Sequence, residues 1–211
     1  MNNDKMDFDK KAAAWDEEPR RVKLVNDIAE AISAEIKLTP QMDVLDFGCG
    51  TGLLTILLRP LVNSLTGVDS STGMLDILKA KIENQHLTRI ATRLLDLEQG
   101  DTLDGLYHLI ASSMTLHHIK DIPPLLDQFY QVAAPGGYIS LADLDLDGGK
   151  FHPDNQGVFH FGFDRAALGR DLEAAGFEQI RDRTAATVLR PTPEGGLRPF
   201  TVFLITGRKK S

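Results

Sequence analysis

The segment Val44-Leu45-Asp46-Phe47-Gly48-Cys49-Gly50-Thr51-Gly52 reads as an apolar strand that ends in a Gly-x-Gly-x-Gly turn and opens directly into a helical pattern from Leu53. Glycines at alternate positions allow positive φ and let a ligand approach the backbone without Cβ clashes, which suits a loop that holds a nucleotide-like group. The dinucleotide fingerprint Gly-x-Gly-x-x-Gly needs its third glycine at position 53, where Leu53 stands. A phosphate-binding P-loop needs a Gly-Lys-Ser/Thr ending, and that is absent. Two further acids follow at strand ends. Asp69, in Val68-Asp69-Ser70-Ser71, can accept hydrogen bonds from both hydroxyls of a ribose. Asp96, in Leu95-Asp96-Leu97, can accept from an exocyclic amine such as the adenine N6 while the next backbone N–H meets a ring nitrogen. Either acid alone would serve equally well as a helix cap. Asp46, Asp69 and Asp96 at three successive strand ends form a pattern that caps do not require.

The histidines are the candidates for proton chemistry. Met114-Thr115-Leu116-His117-His118-Ile119 follows a strand, and a histidine with a pKa near ~6.5 can act as a base or orient a substrate hydroxyl. Adjacent side chains on a helix point different ways, so at most one of His117 and His118 is expected in a pocket; local packing at the next helix start is the alternative. A second candidate region is the Gly-rich and aromatic-rich connection from Asp147 to Phe163, with Phe151, Phe159, Phe161 and Phe163 and the further base candidate His160. It reads either as an apolar acceptor wall able to close as a lid or as a loop buried against the sheet. His152 and His160 invite a metal reading, but with no cysteine beside them and no His-x-x-x-His spacing no metal is expected.

These groups need a scaffold that brings strand ends together. Apolar residues at Val25, Ile28, Ala29, Ile32 and Ile36 mark an amphipathic leading helix over 17–37, with start signals from Asp16 to Pro19. Strands are expected over 42–47, 64–68, 90–95, 107–112 and 138–144, and helices over 53–61, 73–84, 123–133 and 164–175. Strands alternating with helical segments imply right-handed crossovers and a parallel sheet covered on both faces. The last two β-like stretches, 177–189 and 199–207, are joined only by a turn around 191–196, so one final strand should run antiparallel to the rest. The expectation is a single α/β domain over 1–211: a helical cap (1–40), a core (41–211) and a probable acceptor-site loop (145–163).

Composition agrees. A chain of 211 residues with 42% hydrophobic and 25% charged residues is globular, which excludes disordered, collagen-like and rod classes. The single cysteine, Cys49, excludes an internal disulfide and a multi-cysteine zinc site and fits a reducing compartment, with the cytoplasm as the default. No run approaches the ~18–20 apolar residues of a membrane span, and residues 1–8 carry no secretory h-region. A net charge of −7 opposes binding to phosphate backbones, so nucleic acid is not an expected partner; Arg208-Lys209-Lys210 reads as a solvated tail.

On these motifs the sequence resembles the class I S-adenosylmethionine-dependent methyltransferases. The matching pieces are the glycine motif Val44 to Gly52, Gly67-Val68-Asp69-Ser70-Ser71 with Met74-Leu75, and Leu95-Asp96-Leu97-Glu98. The segment Ile110 to Ile119 and the turn Ala134-Pro135-Gly136-Gly137-Tyr138-Ile139 complete them. The resemblance covers about residues 8–207. It implies a Rossmann-like, doubly wound, seven-stranded sheet with an antiparallel last strand, and S-adenosyl-L-methionine as cofactor with S-adenosyl-L-homocysteine as product. It also implies that Asp46 and the loop Gly48, Cys49, Gly50, Thr51 and Gly52 face the methionine part, Asp69 the ribose, and Asp96 with Leu97 the adenine. Ser70 and Met74 would neighbour the adenine, Ser112, Ser113 and Met114 would lie beneath the cofactor, Trp15 would cover the pocket, and Arg20 or Arg21 would pair the methionyl carboxylate. The implied acceptor is a small molecule, because little chain remains beyond the core to grip a macromolecule; a protein acceptor, or a non-catalytic cofactor sensor of the same fold, is the alternative. A short-chain dehydrogenase would need Tyr-x-x-x-Lys, but alanine stands four residues after each tyrosine. The Asn/Asp-Pro-Pro-aromatic turn of exocyclic-amine methyltransferases is replaced by Ser112-Ser113-Met114-Thr115.

Overall fold

Val44 and Leu45, Leu109 and Ile110, and Leu204 and Ile205 are sequence neighbours that enter two different apolar clusters, because successive side chains of a strand point to opposite faces. Strands buried on both faces need helices on both sides. The computed structural model of the chain describes residues 8–192 and 195–211. Its strands are β1 (Asp43–Phe47), β2 (Ser64–Asp69), β3 (Ile90–Leu94), β4 (Tyr107–Ser113), β5 (Ala133–Leu144), β6 (Glu178–Pro191) and β7 (Leu197–Arg208). Among the described residues they form a seven-stranded sheet in the order β3-β2-β1-β4-β5-β7-β6. β1, β2, β3, β4 and β5 pair in parallel, whereas β7 lies between β5 and β6 and is antiparallel to both, as the hairpin pattern predicts.

The helices are α1 (Phe8–Lys11), α2 (Pro19–Glu35), α3 (Leu53–Leu58), α4 (Thr72–Asn84), α5 (Ile122–Val132) and α6 (Arg165–Ala174). α2 and α3 bury Ile28, Ile32, Leu54 and Leu58 on one face of the sheet. α5 and α6 bury Leu125, Leu126, Phe129, Leu168 and Leu172 on the other. Side chains terminate two of the helices: Ser71 Oγ accepts from Met74 N at the start of α4, and Asp164 accepts from Ala167 N at the start of α6. Among the described residues no helix is long and apolar enough to cross a membrane.

Three elements depart from the sequence reading. The leading helix is not continuous from residue 17: Ala12–Glu17 is a 3-10 segment, and Pro19, whose missing N–H costs nothing in a first turn, starts α2. The short α1 precedes it. β5 begins at Ala133, not at Tyr138, because Ala133 already pairs with Tyr107 before the register shifts to Leu109 opposite Tyr138. The residues between form the Pro-Gly-Gly turn, where Gly136 has φ +72. In the β6–β7 turn, Pro193 and Glu194 lie outside the described residues, and Thr192 N donates to Gly196 O at 2.9 Å beside them.

From β1 the chain first builds outward through β2 and β3, then crosses back to place β4 on the other side of β1. The strand order reverses there, and open α/β sheets place their ligand crevice at such a point. The glycine turn and the residues after Ser113 meet at that point: Thr115 Oγ1 donates to Gly48 O at 3.3 Å.

Candidate active site

The loop after β1 has Gly48, Gly50 and Gly52 at φ +70, +53 and +81. Gly48 N and Cys49 N donate to Val68 O at 2.8 and 3.0 Å, which pins the loop to the end of β2. The three glycines serve different needs. A Cβ on Gly48 would fall 2.3 Å from the Thr115 side chain, and one on Gly52 would fall 2.2 Å from Leu78 Cδ1, so both positions are closed by packing. At Gly50 the nearest atom is Met74 Sδ at 4.0 Å, which leaves the backbone approachable. Cys49 is buried, and burial pushes its thiol pKa up. Its sulfur would stand 2.9 Å from a Cβ at Gly67, so the bare backbone of β2 makes room for it.

Asp69 lies at the centre of this arrangement. Its Oδ2 accepts from Gly50 N at 2.8 Å and its Oδ1 from Ser71 N at 2.9 Å. Burial raises its pKa, and the backbone donors act in the opposite direction. Two oxygens offer about four lone-pair sites, and backbone donors at Gly50, Ser70 and Ser71 engage them, so capacity remains for a ribose hydroxyl. Asp46 is buried, and its Oδ2 accepts from Thr55 Oγ1 at 2.6 Å on α3. Burial lifts its pKa to about 7, with Thr55 lowering it and Asp69 raising it. Asp96 accepts from Glu98 N at 3.0 Å and caps the 3-10 turn Leu97–Gln99, the alternative its position allowed.

The remaining predicted cofactor neighbours gather around the same strand ends. Met74 is 2% exposed, Leu97 is half-buried against the α5 side, and Ser70 is exposed. Thr51 is buried and donates to Asp16. Ser112 Oγ donates to Phe47 O at 2.9 Å, tying β4 to β1. Met114 takes φ +56 at the turn out of β4. Ser113 Oγ is buried with no hydrogen-bond partner among the described residues. An orphaned hydroxyl at the end of β4, an approachable Gly50 backbone and the spare capacity of Asp69 fit an adenosyl cofactor across the switch point.

The N-terminal segment docks onto this region through contacts that the sequence reading missed. Asp9 accepts from Ser71 Oγ at 2.5 Å and Gly73 N at 2.7 Å, and a Cβ on Gly73 would fall 2.9 Å from the Asp9 backbone. Asp16 Oδ1 accepts from Thr51 Oγ1 at 2.6 Å, its other oxygen pairs with Lys81, and Lys81 Nζ donates to Thr51 O at 2.7 Å. Trp15 meets the edge of Phe8 at 5.9 Å and carries the Arg21 guanidinium 3.9 Å over its ring. Arg21 is thereby engaged with Trp15, and Arg20 pairs with Glu18 at 2.8 Å. The only sequence signals were an aromatic before each acid, in Phe8-Asp9 and Trp15-Asp16.

After β4, His117 and His118 sit on a 3-10 turn and not on a regular helix, and both rings reach one group of side chains. Both join His152, and one ring nitrogen from each lies within 4.8 Å of the others. His117 is 1% exposed; its Nδ1 stands 2.7 Å from Asp143 Oδ1, and its Nε2 stands 3.2 Å from His152 Nε2. His118 Nδ1 lies 2.6 Å from Gly157 O, which can only accept, so that nitrogen carries the proton. Burial and the neighbouring His117 lower both His118 and His152 to about 4, so both are neutral at pH 7. Asp143 is fully buried, which raises its pKa, but His117 and the backbone donors outweigh burial and hold it below the usual range. An acid inside the apolar run Leu141-Ala142-Asp143-Leu144 was a usable signal that went unread.

His160 is not part of this three-nitrogen group: its Nε2 donates to Ile119 O at 2.9 Å and its ring packs 5.1 Å from Phe163. The phenylalanines divide as well. Phe151 packs on Phe200 and Phe163 on Phe203, whereas Phe159 and Phe161 are exposed. The loop closes on itself where Asp145 bridges to Phe163 and Asp147 N donates to Phe161 O at 3.0 Å.

The sequence over residues 17–181 matches the family described as a methyltransferase domain. The chain belongs to the methyltransferase family. It is 33% identical over 138 residues to an uncharacterized methyltransferase of Schizosaccharomyces pombe, covering 57% of this chain and 48% of that protein. It is 35% identical over 117 residues to the trans-aconitate 2-methyltransferase of Deinococcus radiodurans, covering 54% and 42%. The chain thus spans about half the length of the curated relatives it matches. Its fold is shared with an S-adenosylmethionine-dependent methyltransferase of Aquifex aeolicus at a TM-score of 0.70, with 20% identity and 95% and 97% of the two chains covered. The class I S-adenosylmethionine-dependent methyltransferase architecture expected from the motifs is therefore the one this family member adopts.

Proposed function

We propose that this methyltransferase-family chain transfers a methyl group from S-adenosyl-L-methionine to a small-molecule acceptor and releases S-adenosyl-L-homocysteine. The observation that carries the reading is Asp69, which binds the approachable glycine loop and lies beside the orphaned Ser113 hydroxyl's strand-end crevice, where ribose and methionine parts would be held. The bound cofactor supplies a sulfonium-activated methyl carbon that a nucleophile reaches from the side opposite the sulfur. The chain's own work is then alignment and exclusion of water. Asp69 would hold the ribose hydroxyls, and Met74 with Asp96 and Leu97 would frame the adenine. Phe8 and Trp15 would cover the pocket while Asp9 and Asp16 hold that cover shut.

The acceptor end is formed by His117, His118 and His152 with Asp143 behind them and the 145–163 loop beside them. That group would position an acceptor and ease the loss of its proton where it carries one. A small acceptor is favoured because few residues lie outside the sheet and its helices, and because a relative is named for a small acid. The charge of −7 weighs against a nucleic-acid acceptor, and a single buried cysteine suits the cytoplasm.

The test is formation of S-adenosyl-L-homocysteine from S-adenosyl-L-methionine across a panel of small carboxylic acids, amines, phenols and thiols, with cofactor binding followed in parallel. Acceptor-dependent product formation is expected. Cofactor binding with no turnover on the panel or on protein acceptors would instead favour a sensor, and turnover on protein alone would move the acceptor class.

A further inference from the structure

We propose that His117, His118 and His152 form a site for a divalent transition-metal ion, Zn2+ in the first place, bound by three imidazole nitrogens. Geometry comes first. Two nitrogens bound to one tetrahedral zinc at ~2.0–2.1 Å stand about 3.3 Å apart, and His117 Nε2 and His152 Nε2 are 3.2 Å apart although 35 positions separate them in the chain. A lone N–H···N hydrogen bond would account for that pair. It does not account for a third ring nitrogen held within 4.8 Å of both.

The partners behind the rings point the same way. A metal-ligating histidine donates its other ring N–H to a carboxylate or a backbone carbonyl, which fixes the tautomer and turns the free lone pair toward the ion. His117 Nδ1 faces the buried Asp143 carboxylate at 2.7 Å, and His118 Nδ1 donates to Gly157 O at 2.6 Å. With Nδ1 of each so engaged, Nε2 is the nitrogen left to face an ion. Without an ion, the His117–His152 contact holds one proton between the two Nε2 atoms; binding displaces that proton, to His152 Nδ1 by a tautomer shift or to solvent. Asp143 and Asp147 supply nearby negative charge, while Arg190 and Lys11 act against it. Imidazoles without thiolates or a carboxylate in direct contact suit zinc and its neighbours in the first transition row, not calcium or magnesium.

Position gives the site a use. His117 and His118 follow β4, and His152 belongs to the 145–163 loop, so the ion would fasten that loop to the sheet end. Three protein ligands leave a fourth position, which in catalytic zinc sites takes water or substrate. An acceptor oxygen or sulfur bound there would lose its proton more readily; this consequence rests on the methyltransferase reading, whereas ion binding does not. No motif spacing announces the site, which is why the sequence led to the expectation of no metal.

The test uses the full chain stripped with chelator and titrated with Co2+ as a spectroscopic probe for zinc, with metal content of the protein as purified measured by mass spectrometry. One equivalent bound, with the intense visible bands of a four-coordinate ion, is expected. His152→Ala, in a half-buried loop position, should abolish that spectrum; Asp143→Asn should weaken Co2+ about 10–100-fold; and His86→Ala, at an exposed position, should leave both unchanged. Substoichiometric Co2+ binding at tenfold excess, or a spectrum indifferent to His152→Ala, would overturn the proposal. S-adenosyl-L-methionine titrations of the same stripped protein report on the cofactor site separately, so either reading can fail alone.

Discussion

Asp46 keeps its proton in the free protein up to about pH 7 because burial outweighs its bond from Thr55. A sulfonium and an ammonium group arriving on the other side of the glycine loop would favour the ionised form. Cofactor binding below pH 7 should therefore release a proton from Asp46, and affinity should rise with pH until about 7 and then level. Calorimetry in two buffers of different ionisation enthalpy measures that proton, and Asp46→Asn should remove it. The sign for stability is opposite. The folded pKa of about 7 lies above an unfolded value near ~3.9, so the unfolded chain loses its proton first and the free protein grows less stable between about pH 4 and 7. At this scale the three strand-end acids were legible because each follows a short apolar run. The histidine group was not, since it is assembled from two distant segments and a buried aspartate on a third.

Among the elements, the N-terminal segment carries the most information that sequence periodicity could not supply. α1 and the 3-10 stretch after it are too short to show a helical stripe, and their placement depends on Asp9 and Asp16 meeting Ser71, Gly73, Thr51 and Lys81. Asp16→Ala should release this cover while the sheet stays intact. Limited proteolysis should cut faster within 8–17, cofactor affinity should fall several-fold, and thermal stability should change by no more than the ~1–3 kcal/mol of lost hydrogen bonds to a charge. The 145–163 loop has a different weak point. Gly162 has φ +79, and a Cβ there would stand 2.2 Å from Asp145 O, a backbone atom. Gly162→Ala combines ~1–2 kcal/mol of left-handed strain with that clash, so it should open the Asp145–Phe163 closure. Turnover should drop at least tenfold with cofactor affinity unchanged; a fall in affinity of the same size would place the loop on the cofactor instead.

For the whole molecule, the alternation of short apolar runs with helical patterns was enough to give a doubly wound sheet, because crossover chirality and two-sided burial leave few other arrangements. The Pro191 to Gly196 turn signalled the hairpin, but not that β7 would slot between β5 and β6. That insertion packs Phe200 and Phe203 against Phe151 and Phe163 and so braces the 145–163 loop. What the order of strands does for function is set a reversal between β1 and β4, with Gly48, Asp69 and Ser113 at the neighbouring strand ends where such sheets hold a ligand. The proposed function stands on S-adenosyl-L-methionine binding at these strand ends through Asp69. Calorimetric titration of the full chain and of Asp69→Ala tests it most directly. A single saturable site is expected, which Asp69→Ala weakens by about 1.5–3 kcal/mol, the scale of a hydrogen bond to a charged group. No binding at millimolar cofactor, or equal affinity in the two proteins, would contradict it.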